Sequence, residues 1–264
     1  MPTRKRSSRK ANVTFSDVIR SIPLIADDMF LGMQALNLAV VDGYLRSMES
    51  ELLALLIERE TTPIPDSIVV SALSQLWIFG LYELLRTWRQ RTSQLLTFEQ
   101  ETARLAGQEL LSRLAEEERR IVERSPDRSY SKLYAKQFRK VAQQKTYASR
   151  LRSAYFHSEL PFRRLEALRV HLAKHEMPKQ KGSFGLDPGY GRIDMLNGSI
   201  YWQVPLGRNE VDIVSRQSIA DACAQILSRL LTKSGGEEST NRNSRGTQQA
   251  DEVKHHDGRI RSAA

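Results

Sequence analysis

From Asp27 to Glu60 the apolar positions fall at steps of three and four: Met29, Met33, Leu36, Val40, Tyr44, Met48, Leu52 and Leu55. That spacing marks the apolar face of a long helix. Thr61-Thr-Pro-Ile-Pro65 stops it, because proline lacks the N–H that a continuing helix would use. Asp66 is placed to cap a second helix, with the seam Val70, Leu73, Trp77, Leu81, Leu84 and Trp88. Arg86, Arg89 and Arg91 follow, cations that suit a helix C-terminus.

Thr97-Phe-Glu-Gln100 reads as the capping box of a third helix running to about Val122 through Ala103, Ala106, Leu110, Leu114 and Ile121. Ser125-Pro-Asp127 is a turn. A fourth helix then carries Tyr130, Tyr134, Phe138 and Val141 on one side and Lys132, Lys136 and Lys140 roughly opposite. The aromatic row is expected in the core; stacking on bases is its alternative use. Pro161 suits the first turn of a fifth helix, Leu160 to about Glu176, whose seam is Leu165, Leu168 and Leu172.

Beyond Met177-Pro178 the period changes. Gly182, Gly185, Pro188, Gly189 and Gly191 mark loop. Arg192–Leu196 and Ser199–Val204 flank Asn197-Gly198, which predicts a hairpin. Gly207-Arg208-Asn209 predicts a second turn, Val211–Val214 a third strand, and Ser218–Leu231 a last helix. The expected fold is mainly α: an up-and-down bundle of about five helices, then a small β-hairpin or three-strand element and a terminal helix. Residues 1–13 are expected to be a disordered basic arm, 14–178 the bundle, 179–232 the hairpin-plus-helix appendage, and 233–264 a disordered tail.

Composition changes this picture in two places. With 40 % apolar and 27 % charged residues, the chain reads as a soluble globular protein. The net charge of +9 is concentrated: between Arg124 and Lys181 fifteen Lys and Arg face four acids, a local +11. Helices four and five should therefore attract a polyanion, and RNA or another nucleic acid is the partner that fits. Lys132, Lys136, Arg139, Lys140, Lys145, Arg163 and Arg164 are the candidate contacts. Cys223 is the single cysteine, which fits a reducing compartment. No apolar run follows the basic start, and the longest uncharged run, Ser67–Tyr82, is short for a bilayer. The expectation is a cytoplasmic protein without a membrane partner.

Several chemistries find no residues to carry them. His157, His171 and His175 are the histidines outside the tail, with no carboxylate or cysteine set at ligand spacing, so no metal is expected. There is no phosphate-binding loop, no dinucleotide glycine motif and no nucleophile in a recognisable setting, so no cofactor is expected. What remains is Arg150-Leu-Arg152-Ser-Ala-Tyr-Phe-His157, at the end of the fourth helix. A histidine moves protons near neutral pH, and arginine holds phosphate with two donors. RNA supplies its own nucleophile, the 2′-hydroxyl.

Arg152-x4-His157, and equally Arg150-x6-His157, resembles the R-x(4-6)-H motif of HEPN domains. The resemblance spans the helical part, roughly Asp27 to Glu176. It implies a helical bundle, a homodimer in which two motif copies face each other, and a metal-independent endoribonuclease of toxin or antiviral type. By the resemblance Arg152 or Arg150 would bind the scissile phosphate, His157 would be the general acid/base, and Ser153 stands where the family often has a stronger polar residue. Glu83 resembles, loosely, an acid some members carry on an earlier helix. A protein antitoxin is a further partner the family implies. Glu159 occupies the place of the tyrosine that nucleotidylation silences in some toxins, so no nucleotidyltransferase antitoxin is expected. Two alternatives stand beside this reading. One is a non-catalytic nucleic-acid-binding module; the other is a protein-interaction module using the hairpin and last helix.

Overall fold

The computed structural model describes residues 14–124, 127–174, 191–205 and 210–226. They belong to the first of two units, residues 1–227. Residues 1–13, 125–126, 175–190, 206–209 and 227–264 lie outside the described residues, and with them the expected basic arm, the expected turn at Gly207-Arg208-Asn209, all of the expected glycine-marked loop but Gly191, and the expected tail.

The architecture is mainly helical, followed by a small antiparallel sheet and a terminal helix. A short α1 (Phe15–Val18) precedes the long hairpin of α2 (Met29–Arg59) and α3 (Ile64–Thr102). Then come α4 (Gly107–Arg124), α5 (Arg128–Gln143), α6 (Lys145–His157) and α7 (Glu159–Lys174). The sheet is β1 (Arg192–Ile193), β2 (Ile200–Pro205) and β3 (Val211–Ser215), in that order, with Ile193 opposite Ile200 and Trp202 opposite Val214. A final helix, α8, covers 216–226.

α3 is the spine. Its seam Val70, Trp77, Leu81, Leu84 and Trp88 is buried, as the spacing implies. The Trp77 indole donates to the Leu38 carbonyl of α2 at 3.0 Å, and the Trp88 indole to the Pro23 carbonyl at 2.9 Å. Phe15 meets the Trp77 ring edge-on at 5.2 Å, so the segment before α2 seals the hairpin from outside. This segment (Phe15, Val18, Ile19, Ile22, Leu24, Ile25) is core, although its pattern predicts no element. α3 also contains a stretch of mean hydropathy 1.7, apolar and long enough by composition to cross a membrane; 39 % of it is buried in the protein.

Several expectations about the helices fail. Thr97 caps nothing: α3 continues to Thr102, because Thr92, Leu95, Leu96, Phe98 and Thr102 extend the buried seam past the arginines. Arg89 and Arg91 do not end a helix; they reach across to other elements from its middle. Asp66 is likewise no cap, since α3 starts at Ile64 behind Pro63. The single fourth helix is two: Gln144, at φ −115° and ψ 91°, breaks it without proline or glycine.

The side on which α2 packs also differs from expectation. Leu31, Ala35, Ala39, Asp42, Leu45, Glu49 and Leu52 are buried, while Met29, Met33, Leu36, Val40 and Tyr44 face solvent. The helical period is right; from Met29 to Tyr44 the face is reversed, while Leu52 of the expected stripe is buried and Met48 and Leu55 are half-buried. Two acids, Asp42 and Glu49, interrupt the inward face because it receives two close partners there. Gly198, at φ +75°, lies so near α2 that a Cβ there would sit 1.9 Å from the Glu49 carbonyl oxygen. Beside it Arg216, fully buried, donates to both Glu49 carboxylate oxygens at 2.7 and 2.6 Å and to Asp42. Ser199 adds a hydrogen bond to Glu49 at 2.8 Å, and Arg46 bridges Asp42 and Asp221. This network ties sheet and α8 to α2.

The hairpin turn differs in detail as well. The Asp194 N–H donates to the Ser199 carbonyl at 2.8 Å, so Met195 to Gly198 form a four-residue loop rather than a two-residue Asn-Gly turn.

Candidate functional site

α6 buries Tyr147, Ala148, Leu151 and Ala154, which turns Arg150 and Arg152 to solvent. At about 100° per residue, Arg150 and His157 fall within about 20° of each other on the helix, about 10 Å apart along its axis. Ser153 lies between them, about 40° from His157. Arg152 points about 140° away from His157. Its guanidinium is held by Glu99 of α3 at 2.5 Å. The two candidate arginines therefore divide: Arg150 shares a line with Ser153 and His157, and Arg152 is an ion pair at the side.

His157 is the last residue of α6, half-buried, with its ring edge-on to Phe156 at 5.4 Å. Its ring makes no hydrogen bond or ion pair among the described residues. Its backbone is fixed by its neighbours. Arg89 of α3 donates to the Tyr155 carbonyl at 3.3 Å and to the Ser158 hydroxyl at 2.7 Å, and pairs with Glu159. The same guanidinium stacks over Tyr155 and Phe162, 4.4 and 4.9 Å from the ring centres. The α6–α7 corner that carries His157 is thus clasped to the spine.

Glu83 is not part of this arrangement. It pairs with Arg86 one turn on, at 2.8 Å, with both side chains half exposed. The acid that meets a motif arginine is Glu99. Its signal in the sequence is positional: Glu99 continues the steps of three and four from Trp88 through Thr92 and Leu95, where an apolar residue is expected.

The basic candidates also divide. Lys132, Lys136, Lys145 and Arg163 are exposed and make no ion pair among the described residues. Arg139 pairs with Glu118 at 3.2 Å, Lys140 with Asp27 at 2.8 Å, and Arg164 with Asp212 at 2.7 Å. Lys140 also lies over the Tyr147 ring at 4.1 Å, whose hydroxyl is pushed well above its ordinary pKa, mainly by burial.

The aromatic row is part core and part cleft. Phe138 and Val141 are buried, while Tyr130 and Tyr134 line an open cleft of about 510 Å³ between α3, α4 and α5, with Gln94, Arg113 and Arg124. Arg91 lies over both tyrosine rings and donates to the Tyr130 hydroxyl at 2.7 Å. Among the described residues no three His, Cys, Asp or Glu side chains are grouped to hold a metal. His171 is half-buried, and burial lowers its pKa below the ordinary 6.5; His175 lies outside the described residues.

No family model, curated protein or solved structure matches this chain.

Proposed function

We infer that this chain is a cytoplasmic, metal-independent endoribonuclease of HEPN type, with His157 as proton-transfer group and Arg150 as phosphate ligand. The observation that carries the reading is the alignment of Arg150, Ser153 and His157 along one line of α6, at a corner the Arg89 clasp holds in place. Preorganisation of that kind is what positions a base against a bound phosphate. Arg150 would bind the non-bridging oxygens of the scissile phosphate, and Ser153 would add a hydroxyl donor. His157 would take the proton of the 2′-hydroxyl as that oxygen attacks phosphorus. The P–O5′ bond breaks, the departing oxygen takes a proton from solvent, and the products are a 2′,3′-cyclic phosphate and a 5′-hydroxyl end. Lys132, Lys136, Lys145 and Arg163 would hold the rest of the strand through its phosphates.

Arg152 has a supporting place in this scheme. Bound to Glu99, it orients α6 against α3 and leaves the phosphate to Arg150. The test is cleavage of total RNA in EDTA. His157→Ala should cost roughly a hundredfold to ten-thousandfold in rate, with RNA affinity kept. Arg150→Ala should cost more than Arg152→Ala. Wild-type protein that binds RNA and leaves it uncut removes catalysis. The unpaired Lys132, Lys136, Lys145 and Arg163 then favour a non-catalytic RNA-binding module.

A further inference from the structure

From Met29 to Val41 no residue carries a charge. On this stretch and the next turn, Met29, Phe30, Met33, Leu36, Val40, Val41 and Tyr44 are exposed by 64, 45, 59, 42, 66, 37 and 64 %. They cover an arc of about 140° along about 22 Å of helix. Soluble monomers rarely leave such a surface uncovered. It has the layout of an interface, with an apolar centre and a polar rim: Asp27 precedes it, and the exposed Ser47, Ser50 and Glu51 follow it.

We propose that this face of α2 is where two copies of the chain pair, helix against helix. Absence of charge is the first argument for a second copy as occupant. The face offers no cation to a phosphate backbone and no charge to a charged peptide, whereas an uncharged face placed on itself opposes no like charges. Area is the second argument. The exposed parts of the seven side chains amount to about 700 Å², close to the roughly 800 Å² per partner of a stable complex. Spacing is the third: Met29, Met33, Leu36 and Val40 alternate steps of four and three, the seam along which two helices interlock. Running the helices antiparallel separates like helix ends and sets Met29 near the partner copy's Tyr44, Met33 near its Val40, and Leu36 and Asn37 near the two-fold axis.

The pairing implied by the HEPN resemblance joins motif surfaces on α6; the surface argued here is a different one and stands without that reading. A chain that pairs through α2 and cuts no RNA keeps this inference and loses the other. The test is sedimentation equilibrium of the full chain across the micromolar range, with wild type and Met33→Glu/Val40→Glu. Both positions are exposed, so the variant should keep the wild-type circular dichroism and melting temperature. The expected result is a wild-type dimer and a monomeric variant. A second measurement uses Asn37→Cys. Cys223 is buried, with its thiol pushed up to about 12 by burial, so the new cysteine is the reactive one. Mild oxidation should cross-link two copies at position 37, whereas Lys132→Cys should stay uncrosslinked. A monomeric wild type overturns the proposal, as does a dimer that the double variant leaves intact. A monomer that binds phosphatidylcholine vesicles through this face also overturns it and assigns the face to a membrane surface.

Discussion

Among the described residues Arg216 is a fully buried cation. Its guanidinium sits between two carboxylates that are themselves buried, Asp42 and Glu49, and lies over the Trp77 ring at 5.3 Å. The attraction in such a pair is offset by the cost of taking the charges out of water. Removing one side leaves that cost unopposed. Arg216→Ala should lower stability by about 3–5 kcal/mol, read as a lower urea midpoint at unchanged slope. Arg46→Ala, at the half-exposed edge of the same network, should cost about 1 kcal/mol or less. An unchanged midpoint for Arg216→Ala would mean the cluster does not form. Asp42 and Glu49 alternate with Leu45 and Leu52 on one helix face, but the expected apolar stripe ran along another side of α2, so the spacing did not mark these acids as buried. Nor did it mark their partner, 167 residues beyond Glu49.

At the scale of elements, the appended sheet depends on one close approach. Gly198 has a left-handed φ of +75° and its missing side chain would collide with the Glu49 backbone, which no rotamer change relieves. Gly107, at φ +51°, opens α4 with free space around it. Gly107→Ala should therefore cost only the backbone strain, about 1 kcal/mol. Gly198→Ala should cost several times as much and lower the melting temperature accordingly. Equal shifts for the two variants would remove the docking of the hairpin onto α2. Element boundaries behaved in the same way as these glycines. Local signals found where α2 and α7 run and where the turn at Asn197-Gly198 falls. The continuation of α3 through its arginines depends on what packs across from them, namely Tyr155, Asp28 and Tyr130, and the break at Gln144 carries no proline or glycine to mark it.

At the scale of the molecule, charge is local. The excess in helices α5 to α7 is partly neutralised inside the fold; among the described residues Lys132, Lys136, Lys145, Arg150 and Arg163 are exposed and unpaired, while Arg169 is half-buried over the Tyr82 ring. Binding to single-stranded RNA should fall with salt, and replacing Lys132, Lys136, Lys145 and Arg163 together by alanine should reduce the log–log slope by about 3. Replacing Arg139, Lys140 and Arg164 should change it less, because Glu118, Asp27 and Asp212 already oppose those charges. Titration of RNA binding against salt separates the two sets. Equal losses of slope would mean that the internal ion pairs open when RNA binds.

Periodicity and punctuation alone determined that the chain is mainly helical, that prolines divide α2 from α3, that a small sheet and a helix follow, and that basic charge gathers before residue 181. These properties belong to neighbouring residues, whose spacing the backbone geometry translates directly. Tertiary structure decided which face of α2 is inside, which motif arginine is engaged by Glu99, and that Lys140 is paired while Lys132, Lys136 and Lys145 have no ion-pair partner among the described residues. Each of those is settled by a partner far along the chain. An apolar stripe and a charged side chain can be satisfied in more than one place, and only the packed molecule selects between them.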